Sequence, residues 1–209
     1  MDNIIRLYNF TGLIDHHVLE NEFVGYRRIN DKISYMIKKG DLVPIQKGKY
    51  ISKTLNGGLR DRFSIANALY GPSYISGFTA LSFHGLIPER VDTMECVTTN
   101  RSKNIDSVLG HFDYKKMPKD SFYLGIDYLS DSERSFLIAN PTKAIIDALW
   151  WNTVTGIYGA KALLSLLTEN WRIEEEDLAT LDVEIIDQCI TLGKRKKLIK
   201  YLFNLVNSL

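Results

Sequence analysis

The clearest periodic pattern in the chain lies between Arg27 and Lys39. Four apolar residues recur at the spacing of one helix face: Ile29, Ile33, Met36 and Ile37. At about 100° per residue, a polar stripe lies beside that face: Arg28, Lys32, Tyr35 and Lys39. Gly40 follows at the position where glycine commonly ends a helix. The pattern predicts a helix that buries its isoleucines and presents three bases and a tyrosine on its flank.

The segments around this helix complete a small predicted module. The pattern before it indicates a short helix over Asn3–Phe10 and a second helix that begins after Asp15 as N-cap and runs to Phe23. After Gly40, alternating residues predict a hairpin with strands at 42–46 and 49–52. Three helices followed by a two-stranded hairpin is the layout of a winged helix-turn-helix, here over residues 1–55.

The rest of the chain has a different pattern. Residues 54–58 contain two adjacent glycines and predict a linker. Four runs rich in β-branched and aromatic residues then predict an antiparallel or mixed sheet: Met94–Thr99, Val108–Tyr114, Phe122–Tyr128 and Ser135–Ala139. Helices are expected at 59–69, 77–84, 142–151, 158–170, 183–192 and 194–207. The prediction is an α+β fold: the winged helix-turn-helix, then a mixed α/β domain over 59–209, with a sheet-containing core at about 59–151 and a helical part at about 157–209.

Charge is distributed unevenly along the chain. The 209 residues carry a net charge of +1, but residues 1–60 hold ten Lys or Arg against six Asp or Glu. Between Tyr26 and Lys53 the ratio is eight to two. A basic segment on an otherwise mildly acidic chain indicates a polyanionic partner. A solvated surface with unevenly spaced lysines is the alternative.

These two patterns together favour DNA as the partner. The Arg27–Lys39 helix would enter the major groove and the hairpin turn would approach phosphates beside it. The candidate DNA-binding residues are Arg27, Arg28, Asn30, Lys32, Ser34, Tyr35, Lys38, Lys39, Lys47 and Lys49. Among them, Arg28, Asn30, Ser34 and Tyr35 are the candidates for contact with base edges. A winged helix used only for packing or protein contact is the alternative.

A second basic cluster opens the last predicted helix. It comprises Lys194, Arg195, Lys196, Lys197 and Lys200. Bases at a helix start oppose the helix dipole, so a phosphate or an acidic neighbour is expected to offset that cost. The cluster is either a second polyanion contact or one solvated face of an amphipathic helix.

Motifs for enzymatic chemistry are weak. The four histidines and two cysteines lack metal-ligand spacing, and the chain contains no P-loop, G-x-S-x-G or G-x-G-x-x-G. We therefore expect no enzyme activity, no cofactor and no metal site. The alternative is a Mg²⁺-dependent nuclease built from Glu89, Glu95, Asp113 and Lys115. Two isolated cysteines, the lack of an apolar export signal and the lack of a membrane-spanning run predict a cytoplasmic protein.

Several segments, in the same order along the chain, resemble those of a known family. The segment Tyr74–Glu89 (YISGFTALSFHGLIPE) resembles the signature of AbiEi proteins, the antitoxins of AbiE type IV toxin–antitoxin systems, which act in abortive infection and phage defence. The segments Val97–Ser102 and Asn140–Asp147 follow in the family's order, and Arg28–Tyr50 resembles its DNA-binding module.

The resemblance implies a function that the pattern alone does not give. It implies a transcriptional repressor whose winged helix binds inverted repeats in the promoter of its own operon. It also implies an antitoxin whose carboxy-terminal domain counteracts a nucleotidyltransferase toxin of the AbiEii type, without a stable complex. An antitoxin that neutralises its partner by direct contact is the alternative.

Overall fold

The computed structural model describes residues 12–53, 55, 57–131, 134–152, 156–192 and 195–209. The helix predicted over Asn3–Phe10 lies outside these residues, as do Thr54 and Asn56 of the predicted linker. The described chain is mixed α/β, with two separate sheets of three and six strands.

The smaller sheet is built from the amino-terminal quarter of the chain. Its elements, in chain order, are β1 (Leu13–Asp15), α1 (His16–Glu22), α2 (Ile29–Lys39), β2 (Leu42–Gln46) and β3 (Lys49–Ser52). Strand β3 is central and pairs antiparallel with both neighbours, which gives the order β1-β3-β2. The sequence pattern predicts the two strands of the hairpin. It does not predict β1, since three residues are too few for a periodic signal.

Both ends of α2 follow from local sequence. The helix begins at Ile29, two residues later than predicted, and ends at Gly40, whose φ of +79° is the left-handed conformation that glycine adopts without strain. Asp15 occupies the N-cap position of α1, as predicted, but its side chain forms no capping hydrogen bond. Its carboxylate instead pairs with the ammonium group of Lys49 at 3.0 Å.

Both faces of the smaller sheet are buried. On one face, Ile14, Leu42 and Tyr50 share a core with buried residues of α1 and α2: Leu19, Phe23, Ile33 and Met36. On the other face, Leu13, Ile45 and Ile51 belong to the large core of the rest of the protein. Successive residues of a strand point to opposite faces, so neighbours such as Leu13 and Ile14 enter different cores. The smaller sheet is thus packed into the body of the molecule.

The larger sheet has the order β6-β7-β5-β4-β9-β8. Its strands are β4 (Ser73–Ile75), β5 (Met94–Thr98), β6 (Lys103–Ser107), β7 (Gly110–Lys116), β8 (Ile126–Ser130) and β9 (Ser135–Ala139). The pairs β4–β9 and β5–β7 are parallel, and the other pairs are antiparallel. The sheet is therefore mixed.

Three details of the larger sheet correct the sequence prediction. The pattern does not predict β6, in which Ile105 is the one buried residue. It places Val108 in a strand, but Val108 lies in the turn between β6 and β7. It also places Phe122 in a strand, but Phe122 ends a short helix that precedes β8. Polar edge strands carry little hydrophobic periodicity, which explains why their bounds differ from the prediction.

The helices of the body lie largely where the sequence predicts them. They are α3 (Leu59–Leu69), α4 (Gly77–Phe83), α5 (Lys119–Phe122), α6 (Pro141–Trp151), α7 (Ala160–Ser165, continued by a π-helical turn at Leu166–Asn170), α8 (Glu175–Ala179), α9 (Val183–Leu192) and α10 (Lys196–Val206). Asn140 caps α6 by accepting a 2.8 Å hydrogen bond from the backbone N–H of Lys143. Helix α6 is central, with residues 142–150 all buried. None of the described helices has the length and apolarity needed to cross a membrane.

Candidate nucleic-acid interface

Helix α2 presents its polar stripe to solvent. Its buried residues, Ile33 and Met36, face the smaller core. The side chains of most predicted DNA-binding residues on and beside the helix are exposed: Arg27, Arg28, Asn30, Ser34, Tyr35, Lys38 and Lys39. Lys32 is half-buried. Arg28, Lys32, Tyr35 and Lys39 share one flank of the helix, as the spacing predicts, whereas Asn30 and Ser34 are exposed on its other flank.

Two tyrosines flank the central base of this stripe. The ammonium group of Lys32 lies 5.2 Å from the ring centroid of Tyr26 and 5.8 Å from that of Tyr35. Both distances are within the range of cation–π attraction. Tyr35 is a predicted site residue, whereas Tyr26 is not, because it precedes the helix and falls outside its periodicity. Its position directly before Arg27 and Arg28 is the signal that could have found it.

The ion pairs on this surface are weak. Arg28 lies 3.6 Å from Asp31 and Lys39 lies 3.4 Å from Asp41, and three of these four side chains are more than two-fifths exposed. Exposed pairs of this kind contribute about 0–1 kcal/mol, so a phosphate would displace the carboxylates at little cost. The net charge of this segment remains strongly positive.

The two lysines of the hairpin differ. Lys47 is exposed at the turn, next to Gly48 with a φ of +73°. Lys49 is held by its ion pair with Asp15, and its side chain is 24% exposed. Lys47 is thus the base at the tip of the hairpin, whereas Lys49 joins β3 to the end of β1.

Two members of the predicted second basic cluster contact backbone carbonyls of neighbouring helices. Arg195 donates to the carbonyl oxygens of Leu149 at 2.9 Å and Asn152 at 2.8 Å, and Lys196 donates to that of Thr191 at 3.0 Å. These carbonyls lie at or near the ends of α6 and α9, where backbone acceptors lack helical partners. These two side chains therefore bind backbone acceptors of neighbouring helices, and the polyanion contact of the cluster stays a prediction. Lys197 and Lys200 are exposed, and Lys194 lies outside the described residues.

A buried ionic network, which the sequence did not reveal, joins α6 to β4 and to the residue that follows β4. Lys143 and Asp147 are both 0% exposed, with 2.7 Å between the ammonium nitrogen and Oδ1. The other carboxylate oxygen accepts hydrogen bonds from Tyr74 at 2.8 Å and Ser76 at 2.7 Å. Burial and the Asp147 carboxylate raise the pKa of Tyr74. A lysine and an aspartate four residues apart in a helix of otherwise largely apolar residues are the signal that could have found it.

This network joins two of the segments that carry the family resemblance. Tyr74 and Ser76 begin the first segment, and Lys143 and Asp147 lie in the segment that opens α6. All four are shielded from solvent, and their hydrogen bonds and ion pair fix β4 against α6. These residues of the signature are explained by packing.

Of the four residues in the nuclease alternative, the structure brings three together and places the fourth elsewhere. Glu95 and Asp113 are register partners on β5 and β7. The ammonium group of Lys115 lies between them, 3.0 Å from Glu95 and 3.6 Å from Asp113. Glu89 is not part of this cluster, because it pairs with Arg172. Within the described residues, no three or more histidines, cysteines or carboxylates are placed to hold a metal ion.

Glu95 has a structural role instead. Its Oε2 accepts a 2.7 Å hydrogen bond from the backbone N–H of Phe78, in the first turn of α4. A side chain on Gly77, whose φ is +55°, would overlap with that same oxygen. The cluster thus caps α4 from the sheet below it.

Comparison with known proteins gives a fold likeness. No protein-family model and no curated protein matches the chain. Among solved structures, the crystal structure of the RV2827C protein from Mycobacterium tuberculosis is similar, with a TM-score of 0.50 and 12% sequence identity. The match covers 92% of this chain and 76% of that one. At this identity the likeness concerns the fold alone.

Proposed function

We propose that this protein is a DNA-binding autorepressor and antitoxin of the AbiEi type. The observation that carries the DNA-binding half is the exposed basic side of α2 beside the β2–β3 hairpin. In this proposal α2 is the recognition helix of a winged helix-turn-helix, and the turn at Lys47 is the tip of its wing.

The order of elements supports this assignment. A strand, two helices and a hairpin follow one another, and the first strand pairs with the last. Because β3 pairs with β1, the hairpin lies next to the first strand of the module. The hairpin also lies beside α2, which contacts β2. In this arrangement the bases of α2 enter the major groove and Lys47 approaches the adjacent backbone. The operator would be an inverted repeat upstream of the protein's own operon.

The antitoxin half of the proposal rests on the family resemblance. It assigns the body of the protein, from Leu59 onward, the role of counteracting a nucleotidyltransferase toxin in the cytoplasm without a stable complex. An antitoxin that acts by direct contact differs in one observable: it would co-purify with the toxin at micromolar concentration.

The decisive experiment for DNA binding is a gel-shift titration against the DNA upstream of the operon, at two salt concentrations and with Mg²⁺ present. Length-matched random DNA is the control. We expect a specific complex that weakens steeply with salt, because phosphate contacts release counterions. Equal binding to both DNAs would overturn the repressor proposal, and cleavage of the DNA would replace it with the nuclease alternative.

The experiment for antitoxicity is growth rescue. The nucleotidyltransferase encoded in the same operon is expressed from an inducible promoter, with this protein supplied from a second plasmid under an unrelated promoter. We expect rescue by the whole chain and by a variant that no longer binds operator DNA. Failure of the whole chain to rescue growth would contradict the antitoxin assignment.

A further inference from the structure

A cavity of about 370 Å³ lies where the chain leaves the smaller sheet and enters the body of the protein. Its walls come from the start of α3, from one side of α4 and from the segment that follows α4. The residues that matter here are Gly57, Gly58, Arg62, Ser82, Arg90 and Val91. A volume of this size suits a small metabolite.

The cavity is positively charged. Arg62 and Arg90 line it, and the described part of the chain contributes no acidic residue to the lining. Asp61, the neighbour of Arg62 in α3, is engaged by Arg134 in an ion pair of 2.5 Å. The side chain of Arg90 is exposed. Two guanidinium groups without a lining carboxylate favour an anionic occupant.

The guanidinium group of Arg62 is only partly satisfied. Its Nη2 donates to the backbone oxygen of Asp92 at 3.2 Å, whereas its Nε is shielded from solvent and has no hydrogen-bond partner among the described residues. A buried donor without an acceptor is unfavourable, so an acceptor at this position stabilises the protein. Arg62 also lines the cavity, so an oxyanion bound there lies beside a guanidinium group with unused hydrogen-bonding capacity.

The backbone at the cavity also favours an anion. Helix α3 begins here with Gly58 as N-cap, which has no side chain to accept from the N–H groups of the first turn. Those groups and the helix dipole attract negative charge. The hydroxyls of Thr79 and Ser82 already donate to Thr93 and Glu89, so arginines and backbone amides are the available donors.

We propose that this cavity binds the phosphate group of a small phosphorylated compound. Arg62 and Arg90 provide the charge, as paired guanidinium groups do for phosphate oxygens elsewhere. The site is separate from the basic face of α2, and its occupancy does not depend on whether that face binds DNA.

The test is isothermal titration calorimetry of the whole chain with inorganic pyrophosphate. We compare the parent with Arg90→Ala, with Arg62→Gln and with Arg101→Ala, an exposed arginine that does not line the cavity. We expect binding by the parent, about tenfold weaker binding by each cavity variant, and unchanged binding by Arg101→Ala. Because Arg90 is exposed, its variant keeps the test valid if Arg62→Gln is unstable.

Two results would overturn the proposal: no heat of binding at millimolar pyrophosphate, or equal affinity in the parent and in Arg90→Ala. A further titration identifies the source of the phosphate. If duplex DNA displaces pyrophosphate from the parent but not when Arg90 is replaced, the occupant is a backbone phosphate and the small-compound assignment fails. If DNA leaves pyrophosphate binding unchanged, the small-compound assignment stands.

Discussion

The ammonium group of Lys32 lies 5.2 Å from the centre of the Tyr26 ring. Tyr26 precedes α2 and Lys32 lies near the end of its first turn, so the contact ties the entry of the helix to its basic stripe. A lysine side chain has several rotatable bonds, and a fixed orientation lowers the entropy cost when its ammonium group meets a phosphate. Tyr26 is therefore a positioning residue for the proposed DNA contact.

Replacement of Tyr26 tests this role. We expect Tyr26→Leu to weaken operator binding about two- to fivefold, because it removes an exposed cation–π interaction. Tyr26→Phe retains the ring and should bind as the parent does. The measurement is a gel-shift titration at fixed salt. Equally weakened binding in both variants would show that the phenol hydroxyl, and not the ring, is responsible.

The basic stripe itself is tested by the double variant Arg28→Ala, Lys32→Ala. We expect several-fold weaker operator binding, and a slope of log K against log salt that is smaller by about 2, because each of the two side chains neutralises one phosphate. The matched control is Arg101→Ala, Lys119→Ala, which removes the same charge from exposed positions outside both basic segments. An unchanged slope in the first variant, or an equal change in the control, would contradict the assignment of α2.

The buried pair of Lys143 and Asp147 predicts a large effect on stability. Lys143→Met removes the positive charge and leaves a buried carboxylate whose remaining partners among the described side chains are Tyr74 and Ser76. We expect the free energy of unfolding to fall by about 3–5 kcal/mol, measured by urea denaturation. Lys116→Met, at an exposed position, should change it by less than about 0.5 kcal/mol. A small effect at Lys143 would mean that water reaches the network.

Gly77 predicts a second, separable effect. Gly77→Ala forces an L-residue into a φ of +55° and pushes Glu95 away from the N–H of Phe78. We expect the free energy of unfolding to fall by about 2–4 kcal/mol, from backbone strain and from the broken hydrogen bond. Gly25→Ala is the control, because a side chain there meets nothing within 4 Å. Thermal unfolding monitored by circular dichroism compares the two, and equal midpoints would refute the capping role of Glu95.

Periodicity predicts the elements whose burial is one-sided or complete. Helix α2 is predicted from its isoleucines, and α6 from Asn140, Pro141 and the apolar run behind them. Strands β5 and β9 carry dense apolar residues and are also predicted. In these elements the local pattern and the tertiary environment agree, which is the condition under which sequence patterns are informative.

The features that the pattern misses depend on interactions between distant residues. Strand β6 owes its existence to pairing with β7, and β1 owes its existence to β3. The capping roles of Arg195 and Lys196 depend on where α6 and α9 end in space. The spacing of charges along the sequence indicates a polyanion contact as one interpretation of these residues. It carries no information on which carbonyl groups lie nearby, so it does not predict their hydrogen bonds.

The burial of both faces of the smaller sheet also determines which residues of this protein can be substituted in the course of evolution. Leu13, Ile45 and Ile51 join it to the body, so α2 and its hairpin keep a fixed angle to the remaining chain. In two copies bound to an inverted repeat, the distance between the two α2 helices would therefore depend on the shape of the whole molecule. Proteins with the same body would require the same spacing of half-sites. The exposed side of α2 takes no part in either core. Its residues can change without disturbing either core, so under the proposed function related proteins would acquire new operator sequences while they keep the same operator geometry.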